Sequence, residues 1–420
     1  MTPSLHIAFF NRAFYPEESA TGQLLTDLAR GLAKDHGCRV SIVAGMPPPK
    51  QGRVSLSKRW GVIFRDDFEG MAVYRARGTS FPKKFFPGRA ANYLTYFASA
   101  CVAGLRVQKP DVVIALTDPP IIGLAGLLCA RRNRCPFVIS FRDLFPEVGR
   151  LLKDFRSPFV DEVLDRINRF LIRRADRLVA LGEAMKRRLV EEKGAAPDRV
   201  VIIPDWADTS VLTPGPKRNP FSAAHGLADR FVVMHAGNLG LSQNLEVLVD
   251  SARFLYDLKD LELVFMGDGV LKNALQDQVA RLGLRRVRFL PFQPKERLSE
   301  AFASADCFLI SLKPGLSGYI TPSKLYGILA AGRPYVAAVD PDCDVARITR
   351  EFQCGLLAKA GDPEDIAGKI RSLHADRKLA QELGVRARSA AGRFDRSVGI
   401  RAYDDLCRAL ALKNISDETS

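Results

Sequence analysis

The chain is poor in histidine and has no paired cysteines. Its five histidines, His6, His36, His225, His235 and His374, do not cluster with metal-ligand spacing. Its eight cysteines, Cys38, Cys101, Cys129, Cys135, Cys307, Cys343, Cys354 and Cys407, form no C-x-x-C pair. Several lie in apolar segments, which favours buried free thiols in a reducing compartment over disulfides or zinc. Residues 1–6 have neither a basic start nor a long apolar run, so no signal peptide is expected. The apolar run 116–130 is broken by Asp118-Pro119-Pro120 and is too short to span a bilayer. No serine, histidine and aspartate are spaced as a nucleophilic triad. A cytoplasmic protein is expected, with peripheral contact to the inner face of the plasma membrane left open.

Positive charge is abundant. Lys and Arg number 62 against 47 for Asp and Glu, a formal net charge of +15. That balance favours an anionic partner, whether nucleotide, nucleic acid or acidic membrane, without choosing among them. With 420 residues, 47% of them hydrophobic, the chain has material for two domains of about 200 residues each.

The pattern along the chain is an alternation of short apolar strands and helical spacings. Strands are expected at 6–10, 39–44, 111–115, 136–140, 177–180 and 200–203, with helices at 24–32, 90–108, 160–175 and 182–192 between them. Residues 213–220 carry three prolines and a glycine and read as a linker. The alternation then restarts, with strands at 231–234, 261–265, 287–290, 307–310 and 335–338. An amphipathic helix is expected at 397–412. The fold class is therefore α/β, two doubly wound Rossmann-like domains facing across a cleft. The expected division is 1–212, 213–394, and a closing helix with its tail at 395–420.

Ligands bind such sheets at the carboxyl ends of the strands, and one stretch there stands out. Gly315-Leu-Ser-Gly-Tyr-Ile-Thr-Pro-Ser-Lys324 leads into a short apolar helix that ends at Gly332. Free N–H groups with Lys324 beside them would suit an anion, although a plain helix cap with a surface lysine reads equally well. Gly237-Asn-Leu-Gly240 and Gly267-Asp-Gly269 each follow a strand. They are tight turns or places where a phosphate or sugar approaches the backbone. His235, at the same strand end, reads as structural. Asp143 and Glu147 could orient hydroxyls or handle a proton. They could equally be a helix cap and a first-turn acid.

Taken together, Ala20-Thr-Gly-Gln-Leu-Leu25, Thr117-Asp-Pro-Pro120, Asp143-Leu-Phe-Pro-Glu147, Pro204-Asp-Trp-Ala-Asp208, His235-Ala-Gly-Asn-Leu-Gly240, Phe265-Met-Gly-Asp-Gly269 and Pro322-Ser-Lys-Leu-Tyr-Gly-Ile-Leu-Ala-Ala-Gly-Arg-Pro334 resemble the retaining family-4 glycosyltransferases of GT-B fold. The branch is the one named for colanic-acid and O-antigen sugar transferases. The resemblance implies an N-terminal acceptor domain, a C-terminal nucleotide-sugar domain and a last helix that crosses back to the first. It assigns Lys324, Asp143 and Gly22 to catalysis. Donor contacts fall to Gly237, Asn238, Gly240, Gly267, Asp268, Gly269, Phe292, Gln293, Ser317, Gly318, Tyr319, Pro322 and Ser323. Thr21, Arg142 and Glu147 fall on the acceptor side. No metal or cofactor is implied.

Two departures qualify the resemblance. Tyr319 and Gly327 stand where many members carry glutamates, and Asn238 and Gln243 stand where many carry an arginine and a lysine. Lys324 is then the strongest remaining cation for a diphosphate. Residues 58–89, rich in basic and aromatic side chains, would suit an anionic membrane surface, with Lys83, Lys84, Phe85 and Phe86 foremost, and a lipid-linked diphosphate acceptor would fit. A solvated basic loop is the plainer alternative. A nucleotide-sugar epimerase of the same fold and a non-catalytic partner of another transferase are the competing functions. Nucleic-acid binding is not expected, because the basic residues follow no such motif.

Overall fold

The computed structural model describes residues 4–17, 19–47, 61–81, 86–152 and 157–419, the side chains of 86, 87 and 417–419 excepted. Two compact units emerge: Met1–Pro204 together with Gly399–Ser420, and Asp205–Val398.

The first unit is built on eight strands: β1 (His6–Phe10), β2 (Arg39–Gly45), β3 (Ile63–Phe68), β4 (Met71–Ala76), β5 (Val112–Ala115), β6 (Phe137–Ser140), β7 (Arg177–Ala180) and β8 (Val200–Ile202). Their order is β3-β4-β2-β1-β5-β6-β7-β8, and all neighbours are parallel except the β3–β4 hairpin. Helices α1 (Ala20–Lys34), α2 (Phe86–Gly104), α3 (Ile122–Asn133), α4 (Glu147–Leu151), α5 (Pro158–Arg174) and α6 (Glu183–Glu191) make the crossovers. β1, β5 and β6 are buried at every position, as the inner strands of a parallel sheet must be. That is why they read as unbroken apolar runs.

The hairpin corrects part of the membrane expectation for 58–89. Phe64 and Phe68 are buried, and Phe68 packs against Phe14 and Tyr15. Arg75 is 1% exposed; it donates to the Tyr15 carbonyl at 2.6 Å and pairs with Asp66 at 3.4 Å. Alternation along two strands, one of them at the sheet edge, places these side chains inward. Lys58, Lys83, Lys84 and Phe85 lie outside the described residues, as does the side chain of Phe86.

The second unit has six parallel strands: β9 (Phe231–Ala236), β10 (Leu261–Met266), β11 (Val287–Leu290), β12 (Cys307–Ser311), β13 (Tyr335–Ala338) and β14 (Leu356–Ala358). Their order is β11-β10-β9-β12-β13-β14. Around them run α7 (Pro220–Ala224), α8 (Leu245–Ser251), α9 (Lys272–Arg281), α10 (Lys295–Ala303), α11 (Lys324–Ala330), α12 (Asp344–Phe352), α13 (Pro363–Ala375) and α14 (Arg377–Ala391). One apolar cluster, including Phe231, Leu248, Phe265, Leu309 and Ile370, fills the space between sheet and helices.

The units divide at Pro204, before the proline-rich segment 213–220. That segment is bound into the second unit. Asn219 caps α7 through a reciprocal capping box with Ser222, Arg333 donates to the Gly215 carbonyl at 2.8 Å, and Lys217 pairs with Asp306. The final helix, α15 (Arg396–Thr419), rejoins the first unit from Gly399 onward. There the Tyr403 hydroxyl meets Ser140 Oγ at 2.7 Å, and Asp404 takes His36 Nδ1 at 2.9 Å.

Each sheet changes direction once. Connections proceed outward one way from β1 and the other way from β5, and the same holds for β9 and β12. These switch points leave a crevice at the carboxyl ends of the two central strands, where ligands of doubly wound sheets bind.

Candidate functional site

At the second switch point the loop after β9 and the loop after β12 meet at Lys324. Lys324 opens α11, and its Nζ stands 2.9 Å from His235 Nε2 at the end of β9 and hydrogen-bonds Gln243 Oε1. Gln243 closes a short 3-10 turn, Leu241–Gln243, whose backbone is pinned to β12 and beyond: its carbonyl accepts Ser311 Oγ, and Ser242 O accepts the Lys313 N–H at 2.8 Å. His235 is completely buried. Burial, reinforced by the charge of Lys324, drives its pKa far down, so the imidazole is neutral and accepts at Nε2. Burial also brings the Lys324 ammonium down to about 7. The site thus holds a half-buried cation, with acceptors from the end of β9 and the loop after it and no carboxylate paired with it among the described residues.

The glycines beside it shape the backbone. Gly237 has φ +123°, and a Cβ there would come within 3.8 Å of Lys324 Cε, so its lack of a side chain keeps the approach to the ammonium open. Its N–H donates to the Met266 carbonyl at 2.9 Å and is not free for a phosphate, contrary to expectation. Gly267 and Gly269 serve the contact between loops: a Cβ on Gly267 would fall 1.9 Å from Gly237 O, and one on Gly269 would fall 2.4 Å from Leu239 O. Leu239 N–H completes this seam by donating to Asp268 O at 2.8 Å. Gly240 lies against the Asn238 side chain, and Asn238 and the Asp268 carboxylate are exposed at the surface.

The loop before α11 brings Ser317 (1% exposed), Gly318 (φ +80°) and Tyr319 to the same strand end, and Tyr319 N–H is tied to Leu316 O at 3.1 Å. Pro322 is half-buried, and Ser323 is exposed and makes no side-chain cap. Gly327 faces Phe302 and Leu212 at ordinary contact distance, an apolar setting. Phe292 and Gln293 follow the edge strand β11, which β10 separates from β9; Gln293 Nε2 donates to Pro291 O. They are not brought against Lys324. Asp340-Pro341-Asp342 has a spacing that can hold a metal, but Asp340 accepts the Gly315 N–H at 2.7 Å. Among the described residues no group of three or more His, Cys, Asp or Glu could hold a metal ion.

The switch point of the first unit carries charges that sequence reasoning missed. Arg12, after β1, pairs with Asp118, after β5, at 3.0 Å and with Glu17 at 3.4 Å. Burial opposes the Arg12 charge, but Asp118 and then Glu17 outweigh it and raise its pKa. The Tyr96 hydroxyl, buried and raised in pKa by burial and then by Asp118, has no hydrogen-bond partner among the described residues. The one signal in the sequence was Asp118-Pro119 at a strand end.

The expected acceptor-side residues have mixed fates. Gly22 lies in the first turn of α1, where its N–H is spent on the Ser19 cap and a Cβ would press on Glu17 O at 2.9 Å. Thr21 is beside it, half-buried. The Arg142 N–H donates to Thr117 Oγ1, which ties the loop after β6 to the loop after β5, and Asp143 is next in that loop. Asp143 is not a helix cap, since α4 starts after Pro146 without a side-chain cap. Glu147 is engaged elsewhere: its Oε1 accepts from buried Lys193 at 2.6 Å, and Lys193 also pairs with Asp165. That network packs α4 against α5 and competes with the acceptor role expected of Glu147.

Two doubly wound sheets, each with loops meeting at a switch point, are the architecture expected of a GT-B protein. The glycosyl transferase 4-like domain matches residues 20–206, and the glycosyl transferases group 1 domain matches residues 217–390. The chain is a glycosyltransferase of GT-B fold, an enzyme of hexosyl-type transfer from a nucleotide sugar. It is 30% identical to the probable glycosyltransferase WbjE of Pseudomonas aeruginosa over 275 residues, which is 63% of this chain and 66% of that protein. It is 22% identical over 411 residues to WcaI of Escherichia coli (strain K12), a glycosyl transferase named for colanic acid biosynthesis, covering 95% and 98% of the two chains. Among solved structures, Anabaena Alr3699/HepE in complex with UDP and glucose superposes with a TM-score of 0.73 at 17% identity, over 96% of this chain and 99% of that one.

Proposed function

We propose that the enzyme transfers a sugar from a nucleoside diphosphate sugar, with retention at the anomeric carbon, to a lipid-linked or cell-surface polysaccharide intermediate, as a member of the colanic-acid and O-antigen branch. The observation that carries this reading is the desolvated Lys324 ammonium at the donor-unit switch point, held by His235 and Gln243. As the glycosidic bond breaks, negative charge grows on the leaving diphosphate. A fixed, partly desolvated cation stabilises that charge with less reorganisation of solvent than a mobile surface lysine. The reading assigns this role to Lys324, with backbone from Ser317, Gly318 and Ser323 beside it, and needs no metal or cofactor. The departing phosphate oxygen can itself take the proton of the attacking hydroxyl, so the reading needs no dedicated base.

On the acceptor side, Asp143 and Arg142 share the loop that is tied to Thr117, next to the Arg12–Asp118 pair. The Tyr96 hydroxyl is a further candidate for contact with a sugar or phosphate group. The branch and the polysaccharide acceptor are supported by likeness to WbjE and WcaI, and UDP as the nucleotide by likeness to the HepE complex. A lipid-linked diphosphate acceptor would place the enzyme at an anionic membrane surface, in keeping with the net charge of +15. Among the described residues no helix is long and apolar enough to cross a membrane.

Thermal-shift measurements with UDP, GDP, ADP and their sugars test the donor assignment. The matching nucleotide at a hundredfold excess over its Kd stabilises by about 2.7 kcal/mol. Lys324→Ala is expected to abolish that shift while leaving the protein folded. A full shift in the variant overturns the diphosphate role, and isomerised donor in an acceptor-free mixture would mark an epimerase instead.

A further inference from the structure

Two neighbouring helices of the first unit expose an apolar face, each within a stretch that lacks acids, with exposed Asp111, whose carboxylate accepts the His6 N–H at 2.7 Å, between the two. Residues 71–110 contain no Asp or Glu, and neither do residues 119–142. α2 and α3 lie within these stretches and pack closely; a Cβ on Gly104 would sit 3.6 Å from Cys129 Cβ. On the outward side of α2, Leu94 is 59% exposed and Val102 is 48% exposed, with Ala98 between them and Leu105 one residue past the helix end. Positions 94, 98, 102 and 105 fall on one helical stripe, about 16 Å long. Leu128, 45% exposed, adds to it from α3. Arg106 and Lys109 follow α2, and Arg131, Arg132 and Arg134 close α3; all five are exposed. None of the five forms an ion pair among the ion pairs of the described residues.

We infer that the α2–α3 face docks on an anionic lipid surface, with Leu94, Val102, Leu105 and Leu128 entering the interface and the five cations meeting the headgroups. Apolar side chains along a helix flanked by cations that form no ion pair among the described residues fit the boundary between acyl chains and phosphates. A second copy of the chain is a poor occupant, since a two-fold contact would bring the same unpaired cations together. A protein partner would have to supply an acidic rim. The inference adds to the transfer reading without depending on it, because lipid binding and nucleotide binding are measured separately.

The test is co-sedimentation of the full chain with phosphatidylcholine vesicles, with and without phosphatidylglycerol. Binding is expected only with the anionic lipid and should weaken as salt rises. Arg106→Glu/Arg131→Glu/Arg132→Glu should lower the partition coefficient by more than about tenfold. Leu94→Ser/Val102→Ser/Leu105→Ser should lower it comparably at fixed charge. Far-UV circular dichroism and the UDP-induced thermal shift should match wild type in both variants. Absence of wild-type binding overturns the inference, and so does equal binding by either variant. A dimer that both variants dissolve, with no vesicle binding, overturns it too and assigns the face to a second copy.

Discussion

Lys324 is costly to bury, and its surroundings say how the cost is used. A lysine in water titrates near 10.4, but burial beside neutral His235 lowers Lys324 to about 7. An anionic diphosphate favours the ammonium form, so donor binding takes up a proton whenever the free lysine is neutral. Affinity for UDP should therefore be full below pH 7 and fall as pH rises, by up to about tenfold per unit between pH 7.5 and 9. Calorimetric titration across that range checks this, and Lys324→Arg, which keeps its charge, should flatten the profile. A flat wild-type profile would remove the low free-state pKa from the argument. At this scale the sequence was informative about the cation and silent about its partners. Lys324 stood out by its place before a short apolar helix. His235 and Gln243 are 89 and 81 residues away along the chain, and only the fold brings them within reach. The partners of Glu147 were hidden for the same reason, because Lys193 and Asp165 approach it from elements that local spacing does not relate.

The glycine loops act as fitted elements of the second unit. Gly267→Ala should be severe, since its Cβ would sit 1.9 Å from Gly237 O at a backbone φ of +155°. A loss of about 3 kcal/mol or more in urea unfolding is expected, along with a weaker UDP shift as the Gly237 loop is displaced. A loss under about 1 kcal/mol would show that the loops can separate at little expense. These glycines were visible in the sequence as turns after strands, but their contact with each other was not. Inner strands such as Ile7–Phe10 were legible because burial on both faces leaves only apolar residues. The hairpin Ile63–Phe68 and Met71–Ala76 was hidden by charge: Arg65, Asp66, Asp67 and Arg75 interrupt the pattern, and Arg75 is buried by donating to carbonyls and an acid.

For the whole molecule, the alternation of strands and helices announced two doubly wound units. Their border was misplaced because prolines at 214, 216 and 220 mimic a linker while being bonded into the second unit. The first unit needs the far end of the chain. Deleting 399–420 removes Tyr403 from Ser140 and Asp404 from His36, and uncovers the side of the sheet they cover. Calorimetry of that truncation should show a lowered or absent transition for the first unit and a UDP-responsive transition for the second. An unchanged pair of transitions would mean that the helix merely decorates the unit. The chain that leaves at Pro204 and returns at Gly399 makes the second unit, in connectivity, an insertion within the first. On the ribosome the inserted unit is therefore whole before the host can be. A product stalled anywhere between 205 and 398 would carry all eight strands of the first sheet without the helix that packs on it, and it would be open to proteolysis until residues 399–420 emerged.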